Sequence, residues 1–195
     1  MSHFFAYLAR MKHIRRWGLM RNTLDENIQE HSLQVAMIAH CLALVKNRFF
    51  GGKVNPETVA VLAMYHEVSE VITGDLATPI KYFNPEIRTA YQAIEGVAKK
   101  RLYTMLPEQL QDSYAKVLFA GDEDEAERQH HELVKAADKI AAYLKCLEEL
   151  KAGNQEFSKA EKTLKAQIDS MGLQEVSYFM EQFAPSFNLT LDELE

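Results

Sequence analysis

At 195 residues the chain is long enough to bury one core of ordinary size and short for two. With 47% apolar, 26% charged and 10% aromatic residues it falls outside the disordered, collagenous and membrane classes. Twenty-eight acidic against 22 basic residues give a formal net charge of -6, which disfavours indiscriminate binding to a nucleic-acid polymer or an anionic membrane but permits a local basic pocket.

The apolar run of residues 4–9 is broken by Arg10, Lys12, Arg15 and Arg16, so no secretory core is read there. No later run approaches the roughly 18 apolar residues of a spanning helix. The default expectation is a cytoplasmic, reducing location, although a basic amphipathic start also suits a membrane surface or a transit peptide. Cys41 and Cys146, far apart in apolar stretches, form no CxxC motif and are expected as core thiols.

Apolar residues recur at three and four positions throughout, which predicts an all-α, single-domain helical bundle over 1–195. A short helix is expected over 4–12 and a loop over 15–27. A long helix over 28–48 would turn Leu33, Met37, Ile38, Cys41, Leu42 and Val45 to one face. Asn55-Pro56-Glu57 is a helix start with an N-cap and a proline at the first position, leading through Leu62 to Ile72 and stopping at Thr73-Gly74-Asp75. Residues 76–84, with Pro79 inside and Pro85 following, are expected to be irregular. Further helices are predicted over 85–105, 107–118, 131–151 and 157–183. The acidic stretch 121–129 reads as a solvated loop or a helix start.

No phosphate-binding GxxxxGK loop, GxGxxG turn, GxSxG elbow or HExxH helix occurs, so chemistry must rest on histidines and carboxylates. His3, His13, His130 and His131 lie in polar surroundings and read as solvated, and His40 as a core or boundary histidine. His66-Glu67 with Glu70 sets three proton- or metal-competent groups on one flank of the expected helix, near its negative end. A bound cation would relieve that crowding, and a solvated acidic helix end would also tolerate it. Asp138, flanked by alanines inside a helix, has little reason of propensity to be there, although a surface ion pair would explain it. With His31 on another helix, these residues amount to mixed N/O ligation of the kind a divalent transition metal takes.

The order His31, His66-Glu67, Asp138 resembles the HD-domain metal-dependent phosphohydrolases, and more narrowly the bacterial 5'-deoxynucleotidases among them. The stretches that carry the resemblance are Arg15-Arg16-Trp17 with Leu19-Met20-Arg21-Asn22, Glu30-His31-Ser32-Leu33-Gln34, Ala63-Met64-Tyr65-His66-Glu67, Thr73-Gly74-Asp75-Leu76, Thr78-Pro79, Lys81-Tyr82-Phe83-Asn84 and Tyr143-Leu144-Lys145-Cys146. One position departs: Glu67 stands where the family pattern has aspartate, moving the carboxylate outward by about one carbon–carbon bond against a ligation tolerance of about ±0.2 Å.

The resemblance implies metal ligation by His31, His66, Glu67 and Asp138, by Co, Mn, Zn, Fe, Ni or Cu, with cobalt favoured. The metal would polarise the phosphate and activate a water. Glu70 would be the acid/base residue and Arg16 the catalytic phosphate clamp, where guanidinium meets phosphate bidentately. Trp17, Asp75, Leu76, Ala77, Thr78 and Lys81 would join Arg16, His31, Glu67 and Asp138 in holding a deoxyribonucleoside 5'-monophosphate, Asp75 facing the 3'-hydroxyl. A homodimer is implied, to which Tyr178, Phe179, Phe183 and Phe187 would contribute unless they are core. The rival readings are a degenerate HD module that binds without turnover and a hydrolase of another phosphate.

Overall fold

The computed structural model describes residues 1–81, 83–119 and 124–194. Tyr82 and the start of the acidic stretch, residues 121–123, lie outside the described residues. The elements are α1 (Phe4–Leu8), followed by a 3-10 turn at Ala9–His13, then α2 (Ile28–Phe49), α3 (Pro56–Tyr65), α4 (Glu70–Thr73) and α5 (Thr78–Lys81). They continue with α6 (Pro85–Tyr103), α7 (Glu108–Leu118), α8 (Glu125–Lys151), α9 (Ser158–Asp169) and α10 (Gln174–Gln182), with short 3-10 turns before α9 and after α10. Among the described residues the architecture is all-α, and the sole β-type pairing is an isolated bridge between Arg15 and Asn27 that closes the predicted loop.

Helix starts follow the expected capping chemistry. Asn27 accepts from the backbone N–H groups of Gln29 and Glu30, Asn55 from Thr58, Asn84 from Ile87 and Asp124 from Glu127. The Asp124 cap begins α8 six residues before the predicted start at His131, so the described part of the acidic stretch is a helix start rather than a loop.

Two buried clusters meet along α2. The larger joins α2, α3 and α8 with residues of α9 and α10, including Val35, Leu42, Leu62, Ile140, Leu144 and Phe179. The smaller gathers Phe4, Met11, Val68, Leu102 and Leu118 around Ile28, the first residue of α2. His31 lies between Ile28 of the smaller cluster and Val35 of the larger, and His66 between Ala63 and Val68, so both histidines sit at the seam.

Four expectations are corrected. Leu33 and Met37 face outward, at 54% and 61% exposure, because Ile28, His31, Val35, Ile38 and Leu42 set the inner stripe of α2. The helix from Pro56 breaks at Tyr65, where the His66 side chain competes for a backbone carbonyl. The 76–84 connection contains a helical turn, α5, in which Pro79 sits at the second position, where its missing N–H is harmless. The predicted 157–183 helix is split around Gly172, whose φ of 65° lies in the left-handed region that favours glycine. Phe179 is core, Tyr178 stacks on Phe49, and Phe183 is 41% exposed. His40, His130 and His131 are only half-buried, and Asn55 donates its backbone N–H to His130.

Candidate active site

The helix carrying the His-acid doublet ends one residue before it. His66 Nδ1 lies 2.6 Å from the Ala63 carbonyl oxygen, an acceptor that an unbroken helix would offer to the N–H of Glu67. From His66 to Glu70 the backbone instead makes tighter bonds, Val68 N–H to Tyr65 and Glu70 N–H to Glu67. His66, Glu67 and Glu70 are thus brought together by a turn, not by a shared helix flank as the spacing suggested.

The Ala63 carbonyl can only accept, so His66 carries its proton on Nδ1 and keeps the lone pair on Nε2. That Nε2 is buried without a hydrogen-bond partner and faces Glu67 Oε1 at 3.4 Å. Two electron-pair donors face each other there, an arrangement that a cation between them relieves. Across the seam His31 Nε2 is 3.0 Å from Asp138 Oδ1, and the two imidazole rings are 5.5 Å apart. One donor atom from each of His31, His66, Glu67 and Asp138 falls within 4.8 Å of all the others. Two imidazole nitrogens and two carboxylate oxygens suit a divalent transition metal, so the residues present fit the group that the HD pattern implies. The longer Glu67 side chain still reaches the cluster.

Asp138 retains 39% side-chain exposure while His31 has none, so the cluster opens to solvent on the α8 side. Burial works against the charge of Asp138, but the hydrogen bond to His31 and the neighbouring His66 ring and Arg16 guanidinium outweigh it and hold the carboxyl well below its usual range. Glu67 is likewise held low, with His66, Glu70 and Arg16 overcoming burial. Glu70 goes the other way: burial and the hydrogen-bonded Glu67 carboxylate beside it push it far up, so that it keeps a proton at neutral pH.

Arg16 stands at the rim, its Nη1 3.8 Å from Glu67 Oε1 and its Nε 2.9 Å from Glu26 Oε2. Burial opposes its charge, and Glu26, Glu67, Asp138 and Asp75 together keep it firmly cationic. Trp17, half-buried, packs its ring 5.3 Å from Phe157. Glu149 anchors the loop that carries both. It accepts from the backbone N–H groups of Thr23 and Leu24, the Thr23 hydroxyl and Asn154 Nδ2, and pairs with Lys145, which also donates to the Leu24 carbonyl.

Asp75 follows Gly74, whose φ of 73° turns the chain out of α4. Burial raises the Asp75 pKa against the opposing pull of Arg16, the charge that links it to the cluster. Leu76 and Ala77 are half-buried on the following connection and Thr78 is exposed. Lys81 is turned to Glu95 at 3.1 Å and over the Tyr91 ring, rather than to the histidines. The cluster therefore unites Arg16, His31, His66, Glu67, Glu70 and Asp138, while Lys81, paired with Glu95, still feels the charge of Glu67. Glu26 and Glu149 had no signal in the sequence: each is one glutamate among several, and only the fold gives it partners.

Comparison with known proteins places the chain in a family. A model of the family described as 5'-deoxynucleotidase YfbR-like matches residues 3–187. The chain belongs to the 5'-deoxynucleotidase YfbR-like family. Among its relatives, a Vibrio cholerae protein named 5'-deoxynucleotidase is 57% identical over 99% of this chain and 98% of its own length. A Shigella boydii protein named 5'-deoxynucleotidase YfbR is 56% identical over 99% and 96%. Among solved structures, an HD-domain phosphohydrolase from Listeria innocua superposes with a TM-score of 0.80 at 23% identity, covering 95% of this chain and 88% of that one. A cyanophage S-2L HD phosphohydrolase bound to dA and one catalytic Zn2+ gives a TM-score of 0.64 at 20% identity, covering 93% and 96%. At these identities the two structures establish the shared HD-type helical fold of this YfbR-like chain.

Proposed function

We propose that this YfbR-like chain is a metal-dependent phosphomonoesterase that converts deoxyribonucleoside 5'-monophosphates to deoxyribonucleosides and phosphate. The observation that carries the reading is the four-donor cluster of His31, His66, Glu67 and Asp138 beneath the Arg16 guanidinium. Its family membership and the names of the Vibrio and Shigella relatives give the substrate class. The cluster would hold one divalent metal, with cobalt favoured and Mn, Zn, Fe, Ni and Cu compatible with the donors. Bound there, the metal supplies Lewis acidity toward the phosphate and lowers the pKa of water.

The protein's own groups do the rest. Arg16, kept cationic by the surrounding carboxylates, binds the phosphate oxygens. Water adds to phosphorus as the bond to the 5'-oxygen breaks, and Glu70, which holds its proton at neutral pH, donates it to that leaving oxygen. Trp17 packs against sugar or base, Asp75 accepts from the 3'-hydroxyl, and Leu76, Ala77, Thr78 and Lys81 close the sugar side. A loop pressed against the deoxyribose discriminates against a 2'-hydroxyl that lacks a partner. Because Glu67 keeps an oxygen within the donor set, the reading as a binding module without turnover loses its main support.

The finer organisation follows the same reading. The chain acts as one HD-type domain over 1–195, in the cytoplasm and as a homodimer. Exposed Leu24, Leu33 and Met37 support the dimer, lining a groove of about 320 Å³ beside α2. No helix among the described residues is long and apolar enough to cross a membrane. The test is phosphate release from paired deoxy- and ribonucleoside 5'-monophosphates. Release from the deoxy member alone supports the reading, and equal release from both, or from neither, rejects it.

A further inference from the structure

Glu26 belongs to no motif, yet its carboxylate bonds two parts of the site and faces a third. Its Oε2 accepts from Arg16 Nε at 2.9 Å and from Trp17 Nε1 at 3.1 Å, while its Oε1 faces His31 Nδ1 at 3.9 Å. Its side chain is 11% exposed, which shields these contacts from water.

Each of the three needs something that Glu26 supplies. Trp17 has a φ of 58°, the one positive value among the described non-glycine residues, a conformation that persists only where its surroundings over-determine it. The indole bond to Glu26, the Phe157 ring and the bond from Asn22 to the Trp17 carbonyl provide that hold. Arg16 has one edge of its guanidinium fixed at Nε, which leaves the other edge to face an anion. His31 is fully buried and its Nδ1 has no hydrogen-bond partner at ordinary distance. Nε2 lies 3.0 Å from Asp138 and can donate to it; when Nε2 instead gives its lone pair to a cation, the ring proton must move to Nδ1, and Glu26 is the carboxylate that faces it.

We propose that Glu26 is a positioning residue that fixes the Arg16 guanidinium and the Trp17 indole with one oxygen and the His31 Nδ1 proton with the other. Phosphate clamp, strained aromatic and metal donor are thereby set by a single side chain. The inference rests on the metal-dependent reading above and deepens it.

Glu26→Gln is nearly isosteric but has only one acceptor oxygen. That oxygen stays with the two donors Arg16 and Trp17, and the amide N–H group turns to His31, whose Nδ1 must then accept and cannot carry the proton. Zinc affinity, measured by titration of metal-stripped protein, is expected to fall about 10–100-fold, the effect typical of losing a partner behind a metal histidine. Fluorescence of Trp17, the chain's single tryptophan, is expected to stay unchanged in Glu26→Gln and to shift red in Glu26→Ala. Glu26→Asp, which keeps the charge, recovers part of the zinc affinity.

Unchanged zinc affinity in Glu26→Gln overturns the proposal, as does unchanged Trp17 emission in Glu26→Ala. If these variants do not fold, proton NMR of the zinc-loaded natural chain decides it: a His31 Nδ1 proton shifted far downfield and slow to exchange, the mark of a bond to a carboxylate, supports the assignment, and an Nδ1 proton without that bond overturns it. Zinc binding and emission require no substrate. A natural chain that binds zinc but releases no phosphate therefore rejects the proposed reaction and leaves Glu26 to be judged by its own readouts.

Discussion

His31 and Asp138, 107 positions apart in the sequence, meet with Nε2 of one 3.0 Å from Oδ1 of the other. The contact ties α2 to α8 at the seam between the two buried clusters, so the packing that builds the fold also brings the metal donors together. A site assembled from separate helices is only as precise as their packing, which is why its supporting groups matter as much as its donors.

Glu70 is the proposed proton donor, so Glu70→Gln removes the acid while keeping shape and burial. Turnover is expected to fall about 10²–10⁴-fold, the usual contribution of a positioned acid or base. Metal content, read by elemental analysis, should be unchanged. Loss of metal together with activity would make Glu70 a support of the ligands instead.

Arg16→Lys keeps the charge and discards the fork. A lysine cannot hold Glu26 and a phosphate edge at once, so a charge-assisted bond of about 1.5–3 kcal/mol is lost. The specificity constant kcat/KM should drop about 10–100-fold, measured by initial rates of phosphate release.

The Lys145–Glu149 pair is buried, with side-chain exposures of 4% and 0%. Glu149→Ala strands the Lys145 ammonium and is expected to cost about 3–5 kcal/mol in chemical denaturation. Burial opposes the Glu149 charge, but Lys145, Thr23 and Asn154 outweigh it and hold its pKa well below the ordinary 4.5. A depressed carboxyl pKa contributes stability that is complete above the unfolded value and disappears as pH falls through the folded one. The stability gap between the natural chain and Glu149→Gln should therefore be widest above about pH 5 and narrow steadily below it.

Much of this site was legible in the sequence. The order of His31, His66-Glu67 and Asp138 and the Arg16-Trp17 loop, through their resemblance to the HD-domain phosphohydrolases, picked out residues that the fold brings together, whereas their spacing alone was equally compatible with solvated carboxylates and a surface ion pair. The long helices followed from periodicity and the start of α3 from Asn55-Pro56, while the structure divides two of the expected helices, after Tyr65 and around Gly172. What could not be read was how the backbone bends to serve the site. The break after Tyr65 arises because the His66 side chain takes the Ala63 carbonyl, a competition that no propensity encodes. Leu33 and Met37 fit the apolar stripe by spacing, and only the position of His31 shows which side of α2 is inside. Glu26 and Glu149 gain their partners through long-range packing alone.

Glu67 tests how much carboxylate length matters. Its oxygen already lies among the donors, so Glu67→Asp, which restores the family's usual residue, should keep one metal per chain and measurable turnover. Glu67→Ala should lose the metal. Calorimetric titration with zinc or cobalt distinguishes the two, and an alanine variant that binds as tightly as the natural chain would remove Glu67 from the ligand set.

Phosphate release, on this reading, depends on a metal held by His31, His66, Glu67 and Asp138. The most direct measurement is phosphate release from a deoxyribonucleoside 5'-monophosphate by metal-stripped protein during stepwise return of cobalt, beside Asp138→Ala. The expected result is no release from the stripped protein, a rise that saturates at one metal per chain, and neither binding nor rescue in Asp138→Ala. Release by the stripped protein at the full rate, or full rescue of Asp138→Ala at the same metal level, would contradict it.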